Sequence, residues 1–202
     1  MKRFNWRGVA VLVLIPVVAA IFTVREVKAA GTSATLEDEL IQIKLGTLSK
    51  DLEKKYPGLY THRMDNGQIR YESCNQNKLQ VFNFIQEPWA YGYITAIKVW
   101  QEKDESVCRG PRGALPDLSL PALTPRSVKL GDTKDTVLEK YGEPTSTRTL
   151  DNGDTVMTFR NQGPGEGMIV LNLTLSFHLQ DGRVTAFSLE GDIPGVEKPA
   201  LK

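Results

Sequence analysis

Residues that commonly carry chemistry are scarce in this sequence of 202 residues. It has two histidines, His62 and His178, and two cysteines, Cys74 and Cys108. No GxSxG segment marks a nucleophile, and no GK[ST] segment marks a phosphate loop. Two cysteines without a CxxC or HxxH context also fall short of the four ligands of a closed zinc site. We therefore expect no catalytic, metal-binding or cofactor-binding residues, and an enzyme is the least favoured class.

A large excess of charge of one sign is also absent. The chain carries 25 basic and 24 acidic residues. Removal of residues 1–29, which hold five basic residues and one acidic residue, would leave 20 basic and 23 acidic residues and a net charge of −3. A nucleic-acid-binding protein usually carries a basic excess. We therefore expect no nucleic-acid partner.

A long apolar run occurs near the N-terminus, at residues 9–24, after three basic residues. Val27 and Ala29 then occupy the −3 and −1 places of a cleavage site. This pattern predicts a signal peptide over residues 1–29 and a periplasmic or secreted protein. The alternative is an uncleaved inner-membrane anchor facing the periplasm, because the run is only slightly shorter than the roughly 20 residues of a spanning helix. A membrane partner is expected only in that second case.

The two cysteines both lie in the first half of the chain. In an oxidising compartment, a disulfide between Cys74 and Cys108 is the natural interpretation. A pair of free thiols is the alternative. A bridge closing a loop of this length would stabilise the fold by a few kcal/mol, about 2–4 by loop entropy.

Several short segments occur twice in the same order, which indicates a tandem repeat. The matched pairs are Leu45-Gly46 with Leu130-Gly131, Asp65-Asn66-Gly67 with Asp151-Asn152-Gly153, VFNF from Val81 with VLNL from Val170, and GYITAI from Gly92 with GRVTAF from Gly182. We assign residues 30–109 to a first unit and 128–191 to a second. Residues 110–127 form a proline-rich connector that we expect to dock on a unit, and 192–202 a tail that we expect to be mobile.

Each unit has a helix pattern followed by a strand pattern. In the first, helical spacing predicts one helix beginning at Thr35 and a second ending near Tyr56. In the second, Thr133 or Asp132 caps a helix that stops at Gly142. Strands are predicted over 147–150, 155–160, 168–179 and 183–190, and alternation in the third gives the sheet one apolar and one mostly polar face. The predicted fold class is α+β: two tandem units, each with one or two short helices packed on a three- to four-stranded antiparallel meander sheet.

The pattern LGxxKxxVxxxYGxP, followed by strands that end in GRVTAFSLEG, resembles the BamE (SmpA/OmlA) family of outer-membrane-assembly lipoproteins. The tandem arrangement is similar to that of β-lactamase inhibitory protein. The resemblance implies an extracytoplasmic α+β module that binds other proteins without catalysis. The chain departs from BamE proteins in lacking a lipid-acceptor cysteine after the apolar run. The matching positions are Leu130, Gly131, Thr133, Val137, Gly142, Pro144, Gly182 and Val184, and more weakly Leu45, Gly46, Leu52, Gly92 and Ile94.

Aromatic residues mark one candidate binding site. Where the second unit has an ordinary polar turn at residues 179–183, the first has Trp89, Tyr91 and Tyr93. Trp and Tyr supply much of the binding energy at protein interfaces, so we predict a protein-binding patch that Trp100 and Tyr71 extend. The alternatives are that these rings complete a thin core, or that they stack on sugars.

The favoured function is therefore a non-catalytic, extracytoplasmic protein-binding module of the bacterial envelope, with a partner of unknown identity. A membrane-anchored assembly or structural factor and a secreted inhibitor of an extracellular enzyme are the alternatives.

Overall fold

Two antiparallel sheets of very different size contain the described strands. The computed structural model describes residues 36–109, 115–117, 120, 122–161 and 171–192. The chain divides into two units, Met1–Ala30 and Gly31–Lys202, and all of the described residues lie in the second. The described elements are β1 (Glu39–Leu40), β2 (Ile43–Lys44), α1 (Ser49–Lys55), β3 (Tyr60–Arg63), β4 (Ile69–Asn75), β5 (Gln80–Gln86), β6 (Ala96–Gln101), α2 (Glu105–Arg109), α3 (Lys134–Tyr141), β7 (Ser146–Thr149), β8 (Thr155–Arg160), β9 (Leu171–Gln180) and β10 (Arg183–Asp192).

The eight long strands form one continuous sheet in the order β3-β4-β5-β6-β10-β9-β8-β7. Strands β6 and β10 join its two halves through five register pairs that run from Ala186↔Trp100 to Glu190↔Ala96. The predicted fold class, two tandem units that each carry their own meander sheet, is therefore wrong. Strands β6 and β10 are central rather than edge strands. The described helices are also short, with seven, five and eight residues.

Residues 36–45 form a hairpin rather than the predicted helix. Strands β1 and β2 pair through Leu40↔Ile43, and Ile41 and Gln42 form the turn with φ of 50° and 64°. The hairpin buries alternate residues before and after this turn, together with Ile41. A short apolar segment with spacing of both kinds is ambiguous between helix and strand.

Helix α3 follows its sequence signals. The Thr133 hydroxyl accepts a hydrogen bond from the Thr136 amide at 3.3 Å and caps the N-terminus. Gly142 ends the helix at φ 76°, and its amide donates to the Leu138 carbonyl at 2.8 Å. Val137 and Tyr141 face the sheet and are buried. Arg126 joins this helix to the hairpin, because its guanidinium bonds both the Glu37 carboxylate at 3.0 Å and the Lys140 carbonyl at 3.1 Å.

One hydrophobic core spans both halves of the sheet. The hairpin, α1, α3 and the segment around Leu120, Ala122 and Val128 cover a single face. Burial of each large apolar side chain there contributes about 1.5–3 kcal/mol. Ten of the core residues lie in two cross-strand rows, Phe84-Ile97-Leu189-Leu175-Phe159 and Phe82-Val99-Phe187-Phe177-Met157.

The opposite side of the sheet, which we call the outer face, is formed by the intervening residues. Its side chains are mostly polar, which agrees with the alternation predicted for β9. A small second cluster of Cys74, Val81, Cys108 and Leu115, with Trp100 against it, covers one corner. The register gives three rows: Val81-Trp100-Ala186-His178-Val156-Arg148; Tyr60-Glu72-Asn83-Lys98-Ser188-Ser176-Thr158-Ser146; and His62-Arg70-Ile85-Ala96-Glu190-Thr174-Arg160.

Several predicted features lie wholly or mostly outside the described residues. These are the signal peptide or anchor at 1–29, the Thr35 cap, part of the connector at 110–127, and the tail at 192–202, of which only Asp192 is described. In the connector, Leu115, Leu120 and Ala122 are buried. Within the described part of the chain, no helix has the length and apolar content needed to cross a bilayer.

Candidate functional site

A shallow depression of about 430 Å³ lies on the outer face, over β6, β10, β9 and β8. Small side chains, Ala186, Ser188 and Ser176, lie in the middle of the register rows there. Longer side chains, Trp100, Lys98, Glu190, Arg148 and His178, surround them. The full lining is Lys98, Val99, Trp100, Arg148, Val156, Thr158, Ser176, His178, Ala186, Phe187, Ser188 and Glu190.

Charged side chains of both signs border this depression. Lys98 Nζ lies 3.1 Å from Glu190 Oε1, and both side chains are about half exposed, at 44% and 50%. Farther along the same face, the Asn83 amide donates to Glu72 Oε1 at 3.0 Å. Arg148 lies on the edge strand β7 and is exposed. The depression is therefore a polar, charged surface with small residues at its centre.

His178 is half-buried in the depression, opposite Ala186 on β10 and Val156 on β8. The pKa of His178 is lowered, first by burial and then by the nearby positive charge of Lys98; Arg148 acts in the same direction, whereas Asp154 opposes them. Both neighbouring cations disfavour a third positive charge. The imidazole is therefore biased toward its neutral form.

Trp100 borders the depression at the corner where the second cluster covers the outer face. Its indole N–H donates to Glu102 Oε2 at 3.2 Å. The pKa of Glu102 is lowered, foremost by the hydrogen bond from the Asp104 amide and further by that of the indole. The ring is thus held at one orientation while part of it stays accessible.

A disulfide between Cys74 and Cys108 lies beneath Trp100 in the same cluster, with Cα atoms 5.6 Å apart. The predicted disulfide is confirmed. The bridge ties α2 to β4, and the Cys74 amide also donates to the Pro116 carbonyl at 2.9 Å. The covered corner next to the depression is therefore fixed by one covalent bond and by backbone hydrogen bonds.

The aromatic turn, residues 89–93, lies at the other end of β6. Tyr91 is 80% exposed and adopts φ 48°, a conformation that is uncommon for a residue with a side chain. Trp89 and Tyr93 are half-buried, and Tyr93 packs against the main core. Trp100 is seven residues beyond Tyr93, at the opposite end of the strand and on the outer face. The structure therefore does not bring the four predicted binding aromatics together.

Tyr71 belongs to the core. It is 4% exposed, lies on the covered face between Thr61 and Phe84, and donates its hydroxyl to Gln86 Oε1 at 3.3 Å. It therefore does not extend the aromatic turn. Tyr60, which sequence reasoning missed, is 48% exposed at the outer-face edge.

The two histidines are on strands β3 and β9, with four strands between them in the sheet. Their imidazoles therefore do not share a site. Among the described residues, no group of three or more His, Cys, Asp or Glu side chains has an arrangement suited to a metal ion. The chemistry that this surface does offer is hydrogen bonding, ion pairing and aromatic contact.

Sequence reasoning missed the depression because it depends on the pairing of β6 with β10. Lys98 and Ser188 are 90 positions apart and become neighbours only through that pairing. The available signal was the row of polar residues in β9, which predicted a polar sheet face. Nothing in the sequence states which strand completes that face.

No family model and no curated protein matches the chain. A similar solved structure is the 1.5 Å crystal structure of an extracellular protein containing a SCP domain from Bacillus anthracis str. Ames, with 11% identity and a TM-score of 0.43. The match covers 77% of this chain and 46% of that one, so the chain spans less than half of that protein. Similarity at this level assigns neither a fold family nor a function.

Proposed function

We propose that this protein is a non-catalytic binding module that recognises another protein with the outer face of its sheet. The observation that carries the proposal is the open, polar sheet face with a depression between Trp100 and Arg148. A sheet whose other face holds the whole main core needs no further partner for folding, so the partly exposed ring of Trp100 and the charges on the outer face are available for recognition.

The size of this surface supports a protein partner. Eight strands at about 4.8 Å spacing span roughly 34 Å, and three rows of residues give an area on the order of 700 Å². An ordinary protein interface buries about 800 Å² on each partner. The corner under the second cluster and the buried positions Val81, Asn83, Ile85, Ala96 and Val156 reduce the accessible part of this area, so the outer face offers room for part of one interface.

The composition of the surface supports the same function. Binding energy at interfaces concentrates in a few Trp, Tyr and Arg side chains surrounded by polar residues. Trp100 supplies a ring held by Glu102, and Arg148 supplies a guanidinium on the far side of the depression. Ser188 and Ser176 between them leave room for a side chain of the partner.

We further propose that the protein acts outside the cytoplasm. The N-terminal export pattern supports this, and the Cys74–Cys108 disulfide fits an oxidising compartment. The resemblance to the BamE family implies the same location and class of function and stays a prediction. N-terminal sequencing of protein recovered from cells tests the location: a new N-terminus at Ala30 supports export with cleavage, and an intact Met1 supports the membrane-anchored alternative.

The binding role is tested by capture from native envelope and culture fluid with two matched variants. Ser188→Arg places a long charged side chain in the centre of the outer face. Thr61→Arg adds the same charge at an exposed strand position on the opposite face. The proposal expects Ser188→Arg to lose a protein that the wild type and Thr61→Arg both retain, with melting temperatures unchanged.

Equal capture by all three folded proteins would contradict binding through the outer face. If Tyr91→Ala loses the captured protein and Ser188→Arg retains it, the binding site lies at the aromatic turn. A turnover activity abolished by His178→Gln in a folded protein would overturn the non-catalytic assignment.

A further inference from the structure

The charge of the outer face differs from that of the chain. Its three rows contain four cationic side chains and two carboxylates: Arg70, Lys98, Arg148 and Arg160 against Glu72 and Glu190. The chain after residue 29 has 20 basic and 23 acidic residues. A positive surface is therefore concentrated on one face of a chain that is otherwise acidic.

Both carboxylates on this face already have partners within it. Glu190 pairs with Lys98 at 3.1 Å, and Glu72 accepts a hydrogen bond from Asn83 at 3.0 Å. Among the described residues, no arginine lies within ion-pair distance of either carboxylate. The positive excess of the face is therefore carried by its arginines.

The three arginines lack carboxylate partners among the described residues. Arg70 donates only to the neutral side chain of Gln68, at 2.8 Å. The guanidinium groups of Arg148 and Arg160 make no hydrogen bond or ion pair within the part of the chain that the structure describes. Arg148 and Arg160 therefore retain their full set of N–H donors for a binding partner, and Arg70 retains all but its Nε–H.

These arginines are distributed across the sheet. Arg70 on β4 and Arg160 on β8 belong to the same row and are five strands apart, which corresponds to roughly 24 Å at about 4.8 Å per strand. Arg148 lies on the neighbouring edge strand and borders the depression. A single small anion cannot reach all three groups, so the complementary ligand is an extended surface.

Building on the proposed function, we infer that the partner is a protein that presents acidic side chains to Arg70, Arg148 and Arg160. Guanidinium groups bind carboxylates through two parallel hydrogen bonds, which fixes orientation as well as charge. Trp100 supplies an apolar contact on the same face, in the row of Arg148 and four strands from it. Charge complementarity of this kind speeds association and selects the partner.

The carboxylates of Glu72 and Glu190 favour a protein over a nucleic acid or an anionic membrane. They lie in the same rows as the arginines. A phosphate backbone or an anionic lipid surface presents one sign of charge throughout. It is repelled at Glu72, whose partner Asn83 is neutral, and it gains no attraction from the balanced Lys98–Glu190 pair. A protein surface can place a basic residue opposite Glu72 or Glu190 while it places carboxylates opposite the arginines.

The test uses protein produced from the full-length chain and three probes: poly-L-glutamate, a single-stranded thymidine oligonucleotide and phosphatidylglycerol vesicles. Affinity is measured at low and at physiological ionic strength, and amide chemical shifts locate the contact. Arg148→Glu/Arg160→Glu is compared with Lys50→Glu/Lys134→Glu, which makes the same change of charge at exposed positions on α1 and α3. Both double variants are also used in the capture experiment.

We expect poly-L-glutamate to change the amide chemical shifts of outer-face residues. We also expect it to bind more weakly as the salt concentration rises, because exposed ion pairs are screened. The arginine variant should lose at least roughly tenfold in affinity for poly-L-glutamate and for the captured protein, as charge reversal at a complementary interface does. The lysine variant should stay within about twofold of the wild type, since distant exposed charges are screened.

Three results would overturn the inference. One is an equal loss of affinity in the arginine variant and the lysine variant. Another is contact of poly-L-glutamate with a surface other than the outer face. The third is tighter binding of the oligonucleotide or the vesicles through the same arginines. If Ser188→Arg blocks capture but arginine reversal does not, the proposed function stands and this inference fails; if Ser188→Arg has no effect, the proposed function fails.

Discussion

Lys98 Nζ lies 3.1 Å from Glu190 Oε1, across the pairing of β6 with β10 that joins the two halves of the sheet. Both side chains are about half exposed, so water screens the pair and its contribution to stability is small, at most about 1 kcal/mol. Its main effect is on the charge of the outer face, because Glu190 neutralises Lys98.

Replacing Glu190 should therefore change binding more than stability. We predict that Glu190→Gln alters the free energy of unfolding by less than about 1 kcal/mol and strengthens the binding of poly-L-glutamate. The same replacement at Glu53, which is exposed on α1, is the matched control and should leave binding unchanged. Weaker binding by Glu190→Gln would mean that this carboxylate accepts a group of the acidic ligand rather than opposing it.

The disulfide should contribute strongly to stability. It closes a loop with a sequence separation of 34, and loop entropy gives about 2–4 kcal/mol for a loop of this length. We predict a loss of that size in urea unfolding for the double variant Cys74→Ala/Cys108→Ala. Reduction of the wild-type protein should produce a comparable loss. A change below about 1 kcal/mol in both would mean that the second cluster holds α2 without the covalent bond.

The backbone at Tyr91 should be strained by its side chain. Glycine adopts a φ near 48° without steric strain. A side chain at such a position lowers the free energy of unfolding by an amount on the order of 1 kcal/mol. We predict that Tyr91→Gly is at least as stable as Tyr91→Ala, and more stable by up to about 1 kcal/mol, in thermal unfolding. Since Tyr91 is 80% exposed, little packing is lost in either variant. A large destabilisation by both would show that the ring packs on the protein.

Because the pKa of His178 is lowered in the folded protein, the stability of the protein should depend on pH below neutral. Below the unfolded-state pKa of about 6.5, the unfolded chain binds a proton that the folded chain does not yet accept. The free energy of unfolding therefore falls as pH decreases from about 6.5 toward the folded-state pKa. We predict a flatter stability profile in this window for His178→Gln than for the wild type or for His62→Gln. Identical stability profiles for His178→Gln and the wild type would contradict the assignment of this pH dependence to His178.

The same titration should affect binding of an acidic ligand. Protonated His178 would add a third cation beside Lys98 and Arg148, with Asp154 and Glu190 as the opposing charges near it. Since an acidic ligand favours the protonated form, affinity for poly-L-glutamate should rise as pH falls below neutral. The rise should be smaller in His178→Gln, and equal rises in both proteins would show that other groups cause it.

The local elements were largely predictable, because their signals are local. The predicted strand 155–160 coincides with β8, the 183–190 strand lies within β10, and the Thr133 cap and Gly142 stop bound α3. Turn pairs with positive φ at Gly153 and Gly182 separate the strands as expected. Such short-range preferences hold wherever the chain is placed.

The sheet and the outer face were not predictable, because both depend on pairing between distant segments. A meander pattern does not reveal whether its last strand stays an edge strand or pairs with another, and here β6 pairs with β10. Similarly, the aromatic turn at residues 89–93 was visible as a local pattern, whereas the position of Trp100 beside the depression depends on the register of the whole sheet. The hairpin at 39–44 was mistaken for a helix because Leu36, Leu40 and Ile43 fit helical spacing, whereas in the structure the turn at Ile41 and Gln42 brings Leu40 and Ile43 opposite each other.

The most direct test of binding through the outer face is site-specific photo-crosslinking in living cells. A photoreactive phenylalanine analogue is placed at Ser176 or Ser188 on the outer face, and at Tyr91 or Thr61 as exposed comparisons. We predict crosslinks to one protein from Ser176 and Ser188, and none from Tyr91 and Thr61. Crosslinks from Tyr91 alone would contradict it and would place the partner on the aromatic turn.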